Sequence, residues 1–162
     1  MHSPLLGLAV DDTRSSREVM SQSLILAGCD SITTIDGYAG WLLVETLIPS
    51  IVITDLDMPG WSGLQLIDAI RHSTNPSVRA IPVIVCSSTT QASSIRAAFD
   101  AGGDRFLAKP IKTRVLREVV LQLLGERFKQ ADDQCEAADV GSDASSIGDT
   151  IADSAVGDTQ AG

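Results

Sequence analysis

Along the first 128 residues, short apolar runs alternate with stretches whose apolar positions recur at helical spacing, and each apolar run stops on a charged or hydroxyl residue. Leu5 to Val10 is the first run and predicts a strand ending at Asp11 and Asp12. Val19, Met20, Ser23, Leu24 and Leu26 then form one face of a helix reaching Ala27, with Gly28 as its stop. Ser31 to Ile35 predicts a short strand, Asp36-Gly37 a turn, and Ala39 to Ile48 a second helix ended by Pro49. Ile51, Val52, Ile53 and Thr54 form an unbroken β-branched run, the pattern of a strand buried on both faces. It ends at Asp55, and Met58-Pro59-Gly60 reads as a loop. Leu64, Ile67, Ala69 and Ile70 mark a third helix, and the polar stretch His72 to Ala80, with Asn75-Pro76, a loop. Ile81 to Cys86 is a fourth strand ending at Ser87 and Ser88. Ala92 to Ala101 is a weak helix closed by Gly102-Gly103, Arg105 to Ala108 a fifth strand ending at Lys109-Pro110, and Thr113 to Phe128 a strong final helix.

Five strands alternating with five helices predict an α/β fold, a parallel sheet with helices on both faces. Ligand sites in such folds lie beyond the carboxyl ends of the strands. Asp11, Asp12, Asp55, Ser87 and Lys109 each follow a strand directly, so the pattern aims them all at one crevice.

Charge divides the chain. Residues 1–130 carry 13 acids and 12 Lys or Arg, whereas residues 131–162 carry 8 acids and no base, within a total of −9. That balance speaks against a nucleic-acid-binding surface. From residue 131 the composition shifts to Ala, Asp, Ser and Gly without an aromatic, which predicts a disordered tail over 131–162 after a folded domain over 1–130. The chain is 44% hydrophobic with mean hydropathy +0.16, enough for a core, but only 4% aromatic, so aliphatic side chains must fill it. Cys29, Cys86 and Cys135 are odd in number and far apart, which suggests reduced thiols. No apolar run is long enough to span a membrane and the start has no basic leader region, so a cytoplasmic location is expected.

Three carboxylates converging at strand ends repel one another unless a cation joins them. Hard oxygen donors with space for water suit Mg2+. A lysine and a hydroxyl opposite suit an incoming anion. Together these parts describe phosphoryl transfer, with Asp55 as the natural nucleophile because it ends the most buried strand.

Five blocks in order, Leu8 to Asp12, Ile51 to Asp55 with Met58-Pro59-Gly60, Gly63, Pro82 to Ser88, and Phe106 to Pro110, resemble the receiver domain of two-component response regulators over about residues 5–128, of the stand-alone chemotaxis-regulator type. The resemblance implies a flavodoxin-like sheet of order 2-1-3-4-5. It implies Asp55 as phosphoacceptor, and Mg2+ held by Asp12, Asp55 and the backbone carbonyl of Asp57, with Asp11 acting through water. Lys109 would pair with the phosphoryl group, with the Lys109-Pro110 bond cis. Ser87 would move to the phosphoryl group, with Ser88 a second hydroxyl beside it, and Phe106 would turn inward in response, although Phe106 also fits a plain core role. Asp57 and Thr89 occupy positions that tune phosphate lifetime.

The implied partners are a sensor histidine kinase or histidine phosphotransfer protein and a downstream protein target on the face of the fourth helix, fifth strand and fifth helix. The fifth helix also offers a surface for a phosphorylation-dependent homodimer. With no second folded domain after residue 128, output through protein binding is expected, with neither nucleic acid nor membrane as partner. Asp55-Leu56-Asp57 also resembles the first motif of haloacid-dehalogenase-type phosphatases, but the acidic pair comes first in the chain and there is no room for a cap domain. The remaining alternative is a receiver-like interaction module that needs no phosphate.

Overall fold

The computed structural model describes residues 3–133. The elements are β1 (Leu5–Val10), α1 (Arg14–Leu26), β2 (Cys29–Thr34), α2 (Gly37–Leu47), β3 (Ile51–Thr54), α3 (Gly63–Arg71), α4 (Pro76–Arg79), β4 (Val83–Ser87), α5 (Ala92–Ala101) and β5 (Arg105–Ala108). A last helix, α6, starts at residue 113 and is helical through 133. Residues 131–133, the beginning of the predicted tail, are thus helical; the rest of that tail, 134–162, lies outside the described residues. The compact unit that opens the chain ends at Leu124.

All five strands are parallel, in the order β2-β1-β3-β4-β5. Successive residues of each inner strand point to opposite faces, and both faces are covered. On one, Leu8, Val10, Val52, Val83 and Val85 meet Val44 of α2, Leu66, Ile67 and Ile70 of α3, and Ala98 of α5. On the other, Ala9, Ile51, Ile53, Ile84 and Cys86 meet Met20 and Leu24 of α1 and Leu116, Val120, Leu123 and Leu124 of α6. The core is aliphatic, as the scarcity of aromatics required, and each fully buried Leu or Ile contributes about 1.5–3 kcal/mol. β3 lies at the centre, all four of its residues buried.

The loop expected over 72–80 contains a helical turn. Asn75 caps α4 by accepting from Ser77 N (2.9 Å), and Pro76 stands at its first position. Asn-Pro, read as a breaker, here starts a helix, because the missing proline N–H would be unpaired there anyway. The described residues therefore form six helices, and the expected fourth and fifth are α5 and α6. β2 begins at Cys29, where pairing with Leu5 starts, and stops before Ile35. β4 starts at Val83 and includes Ser87.

At the amino-terminal edge of β4, Arg71 ties four segments together. It donates from Nε and Nη2 to the Gly102 carbonyl (2.9 and 2.8 Å), from Nη1 to the carbonyls of Arg79 and Ile81 (2.8 and 2.7 Å), and from Nη2 to Asp104 Oδ2 (2.9 Å). The same Asp104 oxygen accepts Val83 N (2.8 Å). Gly102 sits at φ 113°, and a Cβ there would strike the Arg71 side chain.

Candidate functional site

The carboxyl ends of β1, β3 and β5 bring Asp11, Asp55 and Lys109 together. Parallel pairing sets the level of each: Asp55 N donates to Val10 O (3.0 Å), and Lys109 N to Ser87 O (2.9 Å). Lys109 Nζ lies 2.7 Å from Asp11 Oδ2 and 3.2 Å from Asp55 Oδ2. Asp11 is fully buried, Asp55 5% exposed and Asp12 exposed. Oxygens of the three carboxylates all lie within 4.8 Å of one another.

Backbone amides hold two of these side chains. Asp11 Oδ1 accepts Thr13 N (2.8 Å), closing a local turn, and Asp55 Oδ1 accepts Leu56 N (2.7 Å). The N-cap of α1 is Thr13, so neither Asp11 nor Asp12 is spent on capping. Arg17 Nη1 donates to the Asp11 carbonyl (2.8 Å). Behind Asp55, the start of α3 comes so close that a Cβ on Gly63 would fall onto the Asp55 carbonyl oxygen. Ser62 and Gln65 form a capping box there, which sets where α3 begins.

Burial pushes the Asp55 carboxyl above its ordinary range, and the charge of Asp11 pushes the same way while Lys109 opposes both. Burial alone would lower Lys109; its hydrogen bond to Asp11 and the charge of Asp55 outweigh that and raise it. Cys86, buried under the site, is pushed up to about 12 by desolvation and stays a neutral thiol.

Three carboxylates and one ammonium leave an excess of negative charge in a largely buried space. Hard oxygen donors with that residual charge fit a divalent cation such as Mg2+.

The other predicted residues flank this centre. Ser87 is fully buried, its Oγ accepting Thr89 N (3.1 Å), whereas Ser88 is exposed on a groove lined by Ser15, Ser16, Lys109 and Pro110. The Asp57 carboxylate turns to Thr89, whose hydroxyl donates to it (3.1 Å), so the loops after β3 and β4 are joined by the two residues singled out for tuning. Phe106 is half-buried and packs against the core beside Val85. The Lys109-Pro110 bond is cis. Sequence reasoning did not single out Arg17 or the amides of Thr13 and Leu56. An Asp two residues before Thr13 is a turn signal that pointed to one of these; the others act through backbone atoms or a backbone carbonyl, which carry no residue signature.

The model of the response regulator receiver domain matches residues 8–121. The chain belongs to the receiver domain family. Its relatives include the two-component response regulator ARR7 of Arabidopsis thaliana, 30% identical over 124 residues covering 69% of this chain and 59% of that protein. The chemotaxis protein CheY homolog of Campylobacter jejuni is 28% identical over 120 residues, covering 73% of this chain and 91% of that protein. Among solved structures, a CheY-like response regulator receiver domain protein of Methanospirillum hungatei superposes with TM-score 0.71 at 22% identity, over 79% of this chain and 99% of that one, a likeness of fold. The chain thus spans less than two thirds of the plant regulator. Receiver domains are phosphoacceptors that bind Mg2+ at an acidic pocket and interact with histidine kinases or phosphotransfer proteins. Among the described residues, no helix is long and apolar enough to cross a membrane.

Proposed function

We propose that this receiver is phosphorylated on Asp55 by a sensor histidine kinase or histidine phosphotransfer protein and answers by changing a protein-binding face. An Asp55 carboxylate oxygen forms the bond to phosphorus as the phosphorus–nitrogen bond of the donor phosphohistidine breaks, and the ring nitrogen keeps the electron pair. The observation that carries this reading is the convergence of Asp11, Asp12 and Asp55 around Lys109 at the strand ends.

Asp12, Asp55 and the backbone carbonyl of Asp57 would hold Mg2+, with Asp11 acting through water. Bound there, Mg2+ supplies the positive charge that lets an anionic phosphoryl group approach an anionic carboxylate. Lys109 supplies the second cation, shifting from Asp55 to a phosphoryl oxygen. Asp57 and Thr89 set how readily water reaches the acyl phosphate, since both stand at the mouth and hold each other.

Ser87 leaves its turn with Thr89 to bond the phosphoryl group, and Phe106 follows, which alters the face formed by α5, β5 and the start of α6. A downstream protein target, or a second phosphorylated copy, reads that face. In this reading the receiver occupies residues 1–130, works in the cytoplasm, and catalyses only its own phosphorylation and dephosphorylation.

Intact mass after incubation with Mg2+ and acetyl phosphate tests the proposal. The expected result is a gain of one phosphoryl group, absent in Asp55→Asn and absent with chelator. No gain, combined with unchanged tryptophan fluorescence on adding beryllofluoride and Mg2+, would overturn it in favour of a phosphate-independent interaction module.

A further inference from the structure

The helix α2 is unlike the other helices. Its eleven residues, GYAGWLLVETL, carry a single charge, Glu45, and apolar side chains all round. A helix of that composition is ordinarily covered on every side. Among the described residues only the inner side is: Val44 is fully buried and Trp41 packs on the core, while Tyr38 is 52% and Leu42 46% exposed, as is Ile35 just before the helix at 57%. Tyr38, Leu42 and Glu45 share one face of α2, at spacings of four and three residues.

The chain has two tryptophans and one tyrosine, and all three gather here. Trp61, from the loop between β3 and α3, stands edge-on to Tyr38 with ring centroids 5.3 Å apart and planes at 71°. Gly37 N donates to Trp61 O (3.3 Å), and a Cβ on Gly37 would meet that same oxygen. Trp and Tyr are the side chains most enriched where binding energy concentrates at protein interfaces.

Charge selects the occupant. From residue 18 to residue 70 the chain has seven acids and no Lys or Arg. The charged side chains of α2 and its cap are carboxylates, Glu45 on the face itself and Asp36 at the start of the helix. A second copy would set like charges against like. A segment carrying apolar anchors and a Lys or Arg one turn further matches both parts of the face.

We propose that the exposed face of α2, with Trp61, is a docking surface for a basic amphipathic helix of another protein. Tyr38, Leu42 and Trp61 receive the apolar side chains, and Glu45 pairs with the cation beyond them. This surface lies on the opposite side of the sheet from α6. Trp61 and Asp57 belong to one loop, so an occupant here rests against the segment that borders the phosphorylation site.

The test uses the full chain and a tryptophan-free eighteen-residue peptide of leucine and lysine in helical period, with the same pattern in leucine and glutamate as control. Trp61 belongs to the face and Trp41 to the same helix, so tryptophan fluorescence reports occupancy there. The expected result is a saturable shift with the lysine peptide, none with the glutamate peptide, and affinity at least tenfold weaker in Tyr38→Ala and in Leu42→Glu, with Glu45→Gln weakening binding only at low salt. Far-ultraviolet circular dichroism checks that each variant keeps the fold. No binding, or binding that these variants leave unchanged, overturns the proposal. So does concentration-dependent dimerisation in analytical ultracentrifugation that Leu42→Glu abolishes, since the occupant would then be a second copy.

Discussion

Asp55 combines two demands that conflict. As the proposed phosphoacceptor it would need burial to exclude water and charge to react. In the absence of divalent ion its carboxyl is held above the ordinary range, mainly by desolvation and then by Asp11, with Lys109 offsetting part of the effect. The folded state then binds this proton more tightly than the unfolded chain does. Stability therefore falls as pH rises from the ordinary carboxylate range through the raised folded value, and the penalty is complete above it. Asp55→Asn removes the penalty. With chelator present it should match the wild type at acid pH, below both values, and exceed it near neutrality. Urea denaturation at the two pH values measures the difference, and an Asp55→Asn variant less stable than wild type at neutral pH would contradict it. Lys109, also raised, has the same sign at a higher pH: its contribution is present below the ordinary lysine range and fades as pH passes its raised folded value.

Among the elements, α2 ends in a way that costs stability. The residue that caps its C-terminus, Ile48, adopts φ 47° and ψ 67°, a left-handed conformation that a β-branched side chain disfavours. Pro49 follows, and no glycine supplies the turn. Ile48→Gly should stabilise the protein by about 1 kcal/mol, read as a higher urea midpoint with an unchanged slope. The contrast with α1 is instructive, because Gly28, at φ 88°, takes that chain reversal without strain. How legible each element was in the sequence follows from such local chemistry. β3 was legible to the residue because both of its faces are buried and only a continuous apolar run serves that purpose. α5 was legible because Gly102-Gly103 closes it. α4 was hidden because one turn has no periodicity to detect. At the site, Asp11, Asp55 and Lys109 were legible from their place after strands, but the direct hold of Lys109 on both carboxylates was not, since it depends on side-chain reach across the sheet.

At the scale of the whole molecule, the end of the sheet opposite the site depends on one side chain. Arg71 closes α3, and its guanidinium satisfies carbonyls in α4, before β4 and after α5 while pairing with Asp104. Nothing in the sequence distinguishes it from other helix-ending arginines, because most of its partners are backbone oxygens. Arg71→Ala removes the donor from two part-buried carbonyls, those of Gly102 and Ile81, and from Asp104, and should cost about 2–4 kcal/mol. Arg71→Lys should recover little of this, since an ammonium cannot match a fork of five donors. Both are read by chemical denaturation; a loss under 1 kcal/mol in Arg71→Ala would mean that water replaces the contacts.

The strand order has a consequence for how the protein comes into being. β1 is flanked by β2 and β3, and from β3 onward each new strand joins the outer edge, β4 on β3 and β5 on β4. A chain emerging from the ribosome can therefore extend its sheet in one direction without parting strands already paired. Lys109 stands after the last strand, 98 residues from Asp11. The carboxylates are thus synthesised well before the lysine that pairs with them, and that lysine comes into reach only when β5 is laid down.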